Sequence, residues 1–261
     1  MRRLPAVVAV LCVSSISAAL SAEGPLDRTE IEKLLAEGKA GEIKEAFIRN
    51  SDHVFDYVDQ YLEGGLAAIE ERGDREEADY SFDLGRKFAK LADEAFDETI
   101  FSDYAGRFTW WDEAEQRRFR EGQEHYRQAK QHRAKGVVDR MLDEHRRSYE
   151  LAKPLGDRWG VGMNAMGIGL AHTESEQFAD ALDPLNEAID ILQRLQLRQH
   201  VIYAKCVLGQ ALLGLRRYDE AYALMVQTQA MVRPGDDPAL IADVPNTLER
   251  ARYYRDERPD R

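Results

Sequence analysis

From residue 138 to residue 234 the chain repeats itself every 40 residues, a recurrence that few folds can accommodate. The segments 138–154, 178–194 and 218–234 superpose without a gap. In each, a large apolar residue (Val138, Phe178, Tyr218) stands three positions before a small or flexible one (Met141, Ala181, Ala221), and a further small residue follows seven later (Ser148, Ala188, Thr228). Two apolar columns run alongside, Leu142, Leu182, Tyr222 and Leu151, Ile191, Met231. A unit of this size cannot bury its own apolar face and must stack on its neighbours. The spacing therefore predicts an all-α chain, an α-solenoid of stacked antiparallel helix hairpins.

Charge narrows the partners. The formal net charge is -12, and no basic stripe is present of the kind that tracks phosphates, so nucleic acid and anionic membrane are not expected partners. Beyond the N-terminus no apolar run reaches the roughly 18 residues a membrane span needs. The N-terminus has its own pattern: Arg2 and Arg3, an apolar run over 4–13, small residues over 14–22, then Glu23. That order is the order of a secretory signal peptide, with cleavage expected after Ala19 or Ala22 and a periplasmic or secreted product. Cys206 would then be the lone cysteine, in the apolar run 201–215, and is expected to be a buried, inert thiol.

Between the leader and the repeats the pattern stays helical. Short amphipathic helices are predicted over 29–36 and 42–50. A longer face follows from Asp52 to Gly73, and Asp74 is placed to cap the next helix, which carries Tyr80, Phe82, Leu84, Phe88 and Leu91. Over 96–111 the periodicity weakens and Phe101, Tyr104, Phe108, Trp110 and Trp111 crowd together. Such a cluster either lines a ligand site or plugs the junction between two helical layers, and it is read here as the seam between the N-terminal helices and the repeats. A strongly charged helix is predicted over 112–135, broken by Gly136, and a last helix over 239–255.

The repeats carry a further regularity. Leu208-Gly209, Tyr218 and Ala221 in the last unit match Ile168-Gly169, Phe178 and Ala181 in the one before, while the first keeps Ala129 and has Val138 for the aromatic. A glycine or alanine where two helices cross lets their backbones approach, and the ring fills the space beside the crossing. With these residues the stretch 121–234 resembles the tetratricopeptide repeat, in a form longer than its usual period of about 34 residues. Armadillo and HEAT units have periods of about 40–47 residues, but the glycine and aromatic-to-alanine spacing favours the first reading. The resemblance implies that the first helix of each unit lines a concave face, which carries over Gln123, Tyr126, Lys130 and Arg133, then Met163, Met166, Leu170 and Thr173, then Tyr203, Cys206, Gln210 and Leu213. Of these, Tyr126, Lys130, Arg133, Met163, Met166, Leu170, Tyr203 and Gln210 are the candidate partner-binding residues. Such a groove is basic at one end and apolar further in, suited to a peptide with an acidic and an apolar part. The competing reading makes the apolar members core, because first helices are sandwiched. The basic-and-asparagine clamp with which some family members hold a chain-terminal carboxylate is not reproduced.

Four regions result: a signal peptide (1–22), an N-terminal helical region (23–111), the repeats (112–235), and a capping helix with its tail (236–261). No catalytic constellation stands out. Glu121, His125 and His132 share one face of the charged helix without a second ligand pair, and Gly160, Gly162, Gly167 and Gly169 fall inside a helix rather than after a strand, so neither a metal nor a cofactor is expected. The expected function is an exported, non-catalytic scaffold binding a protein or peptide in the cell envelope. Two alternatives remain. One is a sensory or regulatory component of a larger secreted protease or signalling system, since the run from Phe101 onward resembles the helical segment preceding caspase-like peptidase domains. The other is an enzyme with its site at the aromatic seam 101–111.

Overall fold

A computed structural model describes residues 27–256, so the segment 1–22 read as a signal peptide lies outside the described residues. Asp27 caps α1 (Arg28–Ala36) by accepting from the Thr29 amide at 2.9 Å. The helix α2 (Ala40–Arg49) and a 3-10 turn (Ser51–His53) lead into α3 (Val54–Ala67). This helix runs on through a π-helical turn (Ala68–Arg72) to Gly73, whose φ of 64° ends it. Asp74 then accepts from the Glu77 amide at 3.0 Å and caps α4 (Arg75–Phe96), as the sequence predicts. The remaining helices are α5 (Ile100–Phe108), α6 (Glu113–Ala134), α7 (Val138–Leu155), α8 (Arg158–Glu174), α9 (Phe178–Arg194), α10 (Arg198–Gly214), α11 (Tyr218–Gln229) and α12 (Pro238–Asp256). Among the described residues there is no strand, and from α6 to α12 consecutive helices pack as antiparallel hairpins in an all-α solenoid.

The helix α5 stands where periodicity looked weak. Ile100, Phe101, Tyr104, Ala105 and Phe108 are its buried residues, a helical spacing that the neighbouring Trp110 and Trp111 blur. Its start carries no local cap. Instead Asp93, on α4, accepts from the amides of Phe101 at 3.0 Å and Ser102 at 2.9 Å. The seam rings then close on one another: Trp111 lies 4.4 Å from Phe108 and 4.8 Å from Phe119, centroid to centroid, and its indole N–H donates to the Leu155 carbonyl. Trp110 turns outward and is 82% exposed.

In the repeats the 40-residue recurrence is a register of turns. The helices α7, α9 and α11 begin at 138, 178 and 218, and α8, α10 and α12 begin at 158, 198 and 238. Each turn closes with the same six-residue hydrogen bond, Val137 N to His132 O, Gln177 N to His172 O and Arg217 N to Leu212 O on one edge, Asp157 N to Ala152 O and Leu197 N to Leu192 O on the other. Each places one residue in the left-handed region: Gly136, Gly156, Glu176, Gln196 and Arg216. Of the columns read from sequence, those at 141, 181, 221 and at 148, 188, 228 are buried, while Val138, Phe178, Tyr218 and Leu142, Leu182, Tyr222 are half-buried. The closing helix α12 also keeps this register, as a fourth first helix. Glu249 stands in it where Gly169 and Gly209 stand in α8 and α10, a charge at the position where a further helix would have to approach.

Two of the left-handed turn residues are a removable strain. The left-handed conformation costs a residue with a Cβ about 1–2 kcal/mol. After the extra freedom glycine gives the unfolded chain, Glu176→Gly and Gln196→Gly are each expected to add about 0.5–1 kcal/mol of stability. Thermal melts of the single and double variants check this. A midpoint that falls in both singles would rule it out.

The N-terminal helices dock along the edge formed by the α7–α8, α9–α10 and α11–α12 turns. Buried residues of α2 to α5 share one continuous core with Leu155, Val161, Leu192, Leu195 and Leu197. Polar ties run along the same edge: Glu98 to Arg194 at 3.0 Å and Asp52 to Arg198 at 2.8 Å. On the side of α6, Arg120 reaches Glu63 at 2.9 Å and Glu70 at 2.8 Å.

Candidate functional site

The eight groove residues fall into two sets. Met163 and Leu170 are buried, the first in the core shared with the N-terminal helices and the second in the repeat core. Thirteen of the seventeen residues of α8 are buried, so Met163 and Leu170 are core residues and not groove residues. Met166 is half-buried against the shared core, and Gln210 is half-buried on α10. Tyr126 meets the His145 and Trp159 rings edge-on at 5.8 and 5.5 Å, and the Lys130 ammonium stands 5.7 Å over the Tyr126 ring. Arg133, at the end of α6, donates to the Tyr203 hydroxyl at 2.6 Å and lies over its ring at 5.6 Å. The structure thus brings the basic end of α6 and the aromatic of α10 together. Of the other first-helix positions, Thr173, Cys206 and Leu213 are buried, and burial raises the Cys206 thiol above its ordinary range.

Next to the Arg133–Tyr203 pair lies a pocket of about 510 Å³. Its walls come from the 3-10 turn and first turn of α3 (Asp52, His53, Asp56), the start of α10 (Leu197 to His200), the start of α12 (Asp237, Ala239, Leu240), and Arg133 with Tyr203. Sequence reasoning placed none of the α3 or α12 residues here. Asp52 and Arg198 are 146 positions apart, and no local pattern signals their meeting. Arg198 is committed to the fold: it bonds Asp52 and Asp236 together with the Met231 carbonyl. Burial lowers the pKa of His200, which keeps this ring neutral at neutral pH.

A second polar cluster lies at the seam. Asp157 is 4% exposed and accepts from the Gly160 amide at 2.8 Å, capping α8, while Asp59 accepts from the Tyr104 hydroxyl at 2.7 Å. Burial pushes both carboxyls up to about 7. Close by, Asn164 joins the His145 ring to Ser148, whose hydroxyl donates to the Gly122 carbonyl. The void between Asp157, Asn164, Ser148 and Gly122 is about 10 Å³, the room of one water. Among the described residues no group of three or more His, Cys, Asp or Glu side chains is arranged to hold a metal.

The raised Asp157 pKa has a definite sign. The folded chain keeps this proton up to about pH 7, whereas the unfolded chain loses it near 4, so stability falls as pH rises between those values. Asparagine at 157 keeps an acceptor for Gly160 and carries no charge. Asp157→Asn is therefore expected to stabilise by about 1–2 kcal/mol more at pH 8 than at pH 5, each relative to wild type. Paired melts at the two pH values test it, and an equal effect at both would contradict the assignment.

No family model matches the chain, and no curated protein matches it. The class it belongs to is set by its own geometry, an all-α solenoid of helix hairpins. No helix among the described residues is long and apolar enough to cross a membrane.

Proposed function

We propose that this chain is an exported, non-catalytic repeat scaffold of the tetratricopeptide type that holds a protein or peptide partner in the cell envelope, in the periplasm or secreted. The observation that supports it most is the turn register. Repetition of one left-handed turn residue every 20 residues from Gly136 to Arg216 stacks first helices side by side, the arrangement by which solenoids offer an extended binding face. On that face Tyr126, Lys130, Arg133, Met166, Tyr203 and Gln210 form the partner surface, basic on α6 and apolar towards α8 and α10. Met163 and Leu170 support it from beneath.

Affinity purification from an envelope fraction, with the double variant Met166→Glu, Tyr203→Ala beside wild type, tests the reading. The expected result is at least about a tenfold loss of the captured partner, since a charge in an apolar contact and a lost aromatic anchor each cost more than 1 kcal/mol. Unchanged capture would move the partner to another surface. N-terminal sequencing of the exported product should begin at Leu20 or Glu23.

A further inference from the structure

The pocket between α3, α10 and α12 holds charges that the fold does not use up. Arg198 is saturated by Asp52 and Asp236, and Asp237 caps α12 by accepting from the Ala239 amide at 2.7 Å. Left over are two groups of opposite sign. Arg133 makes one bond, to the Tyr203 hydroxyl, and retains further donors; Asp56 is exposed, and its charge bears on the neighbouring His200. Arg133 bonds Tyr203 and Asp56 acts on His200, two residues three apart on α10, so the free cation and the free anion line the same pocket beside one stretch of that helix. Leu197, Ala239, Leu240 and the Tyr203 ring give the pocket an apolar wall between them.

Electrostatics then discriminates among ligands. A simple anion drawn to Arg133 would lie near Asp56 and Asp237, and a simple cation drawn to Asp56 would lie near Arg133. A ligand bearing both charges satisfies both groups at once. We propose that this pocket binds a small dipolar molecule that carries an ammonium, a carboxylate and an apolar side chain: a free amino acid or a short peptide with the same ends. Its carboxylate pairs with Arg133, its ammonium with Asp56, and its side chain packs on Leu197 and Leu240. The volume of about 510 Å³ lies within the ordinary range of small-molecule sites. Because Arg133 and Tyr203 also belong to the partner face, the inference rests in part on that reading.

Calorimetric titration of the full exported chain with four probes tests it: L-leucine, leucyl-leucine, N-acetyl-L-leucine, which lacks the ammonium, and L-leucinamide, which lacks the carboxylate. Leucine or leucyl-leucine is expected to bind at least about tenfold more tightly than either blocked form, the worth of one charge-assisted hydrogen bond. The tighter of the two identifies the source. In Arg133→Gln the preference for leucine over leucinamide is expected to vanish, and in Asp56→Asn the preference over N-acetyl-leucine. Both positions are exposed, and an unchanged melt confirms that each variant folds. Equal binding of all four probes, or binding of none, overturns the proposal. Partner capture that survives in Asp56→Asn but fails in Met166→Glu, Tyr203→Ala separates this site from the partner face.

Discussion

Arg198→Met is expected to lower the stability of the fold by about 3 kcal/mol, and its melting midpoint by roughly 6–12 °C. The reason lies in what the arginine leaves behind. Its side chain is 14% exposed and stands between Asp52, 19% exposed, and Asp236, 2% exposed. The guanidinium bonds Asp236 through two nitrogens at 2.6 and 2.9 Å and Asp52 at 2.8 and 3.0 Å. Its hydrogen bonds to Asp236 are also the chief cause that holds the carboxyl below its usual value of 3.8. Methionine fills the same space without a charge, so two carboxylates are left facing each other in a partly desolvated site, with only the exposed Arg233, 3.4 Å from Asp52 and donating its amide to Asp236, to offset them. A depressed carboxyl contributes its stability above its unfolded pKa and loses it as pH falls through the folded value. The deficit of the variant should therefore be full at neutral pH and shrink in acid, below about pH 4. Adding Asp236→Asn to Arg198→Met should recover part of the loss, since the uncompensated charge rather than the missing contact carries the cost. A deficit that ignores both pH and the second substitution would mean the arginine acts through packing alone.

The same residue shows where the sequence stops being readable. Repeats are legible because each turn imposes one local demand, restated every 40 residues: Ala129, Gly169 and Gly209 at the crossings, Met141, Ala181 and Ala221 beneath them. The docking of the N-terminal helices is set by pairs such as Asp52 with Arg198 and Glu98 with Arg194, which are distant in the chain and sit among many other charges. The helix α5 was hidden for a related reason, because its cap, Asp93, belongs to the helix before it. The candidate groove was half legible. Arg133 and Tyr203 do meet, but small and apolar residues run round most of α8, so its periodicity could not tell Met163 and Leu170, which are buried, from Met166, which is partly open. The register of α12 is hard to see in the sequence because Glu249 stands where α8 and α10 have the crossing glycine, although Leu248 and Ala251 keep the repeated spacing.

The crossing glycines themselves are expected to differ in cost, and the difference follows from what a Cβ would meet. At Gly169 it would fall inside contact distance of the branching Cγ of Leu185 and 3.3 Å from the Ala181 carbonyl oxygen. Leu185 is fully buried and the carbonyl belongs to a helix backbone, so neither can move away. At Gly209 the nearest atoms are the sulfur of Met225, 2.6 Å away, and its Cγ at 3.1 Å. Met225 is fully buried as well, but methionine has three side-chain torsions, so its sulfur can shift within its cluster where the branched Leu185 cannot. Alanine gains about 1 kcal/mol over glycine in a helix interior, while overpacking a closed core costs about 1–3 kcal/mol and occasionally more. The balance for Gly169→Ala is a loss of about 2 kcal/mol, as overpacking against an immovable neighbour outweighs the helical gain. For Gly209→Ala the two terms nearly cancel, leaving a change within about 0.5 kcal/mol. Denaturant unfolding of the two variants measures both, and combining Gly169→Ala with Leu185→Ala should cost less than the two singles added, because the truncated neighbour makes room for the methyl group. Equal losses at 169 and 209 would show that the two crossings yield alike and that the packing of Leu185 is not what fixes the distance between α8 and α9.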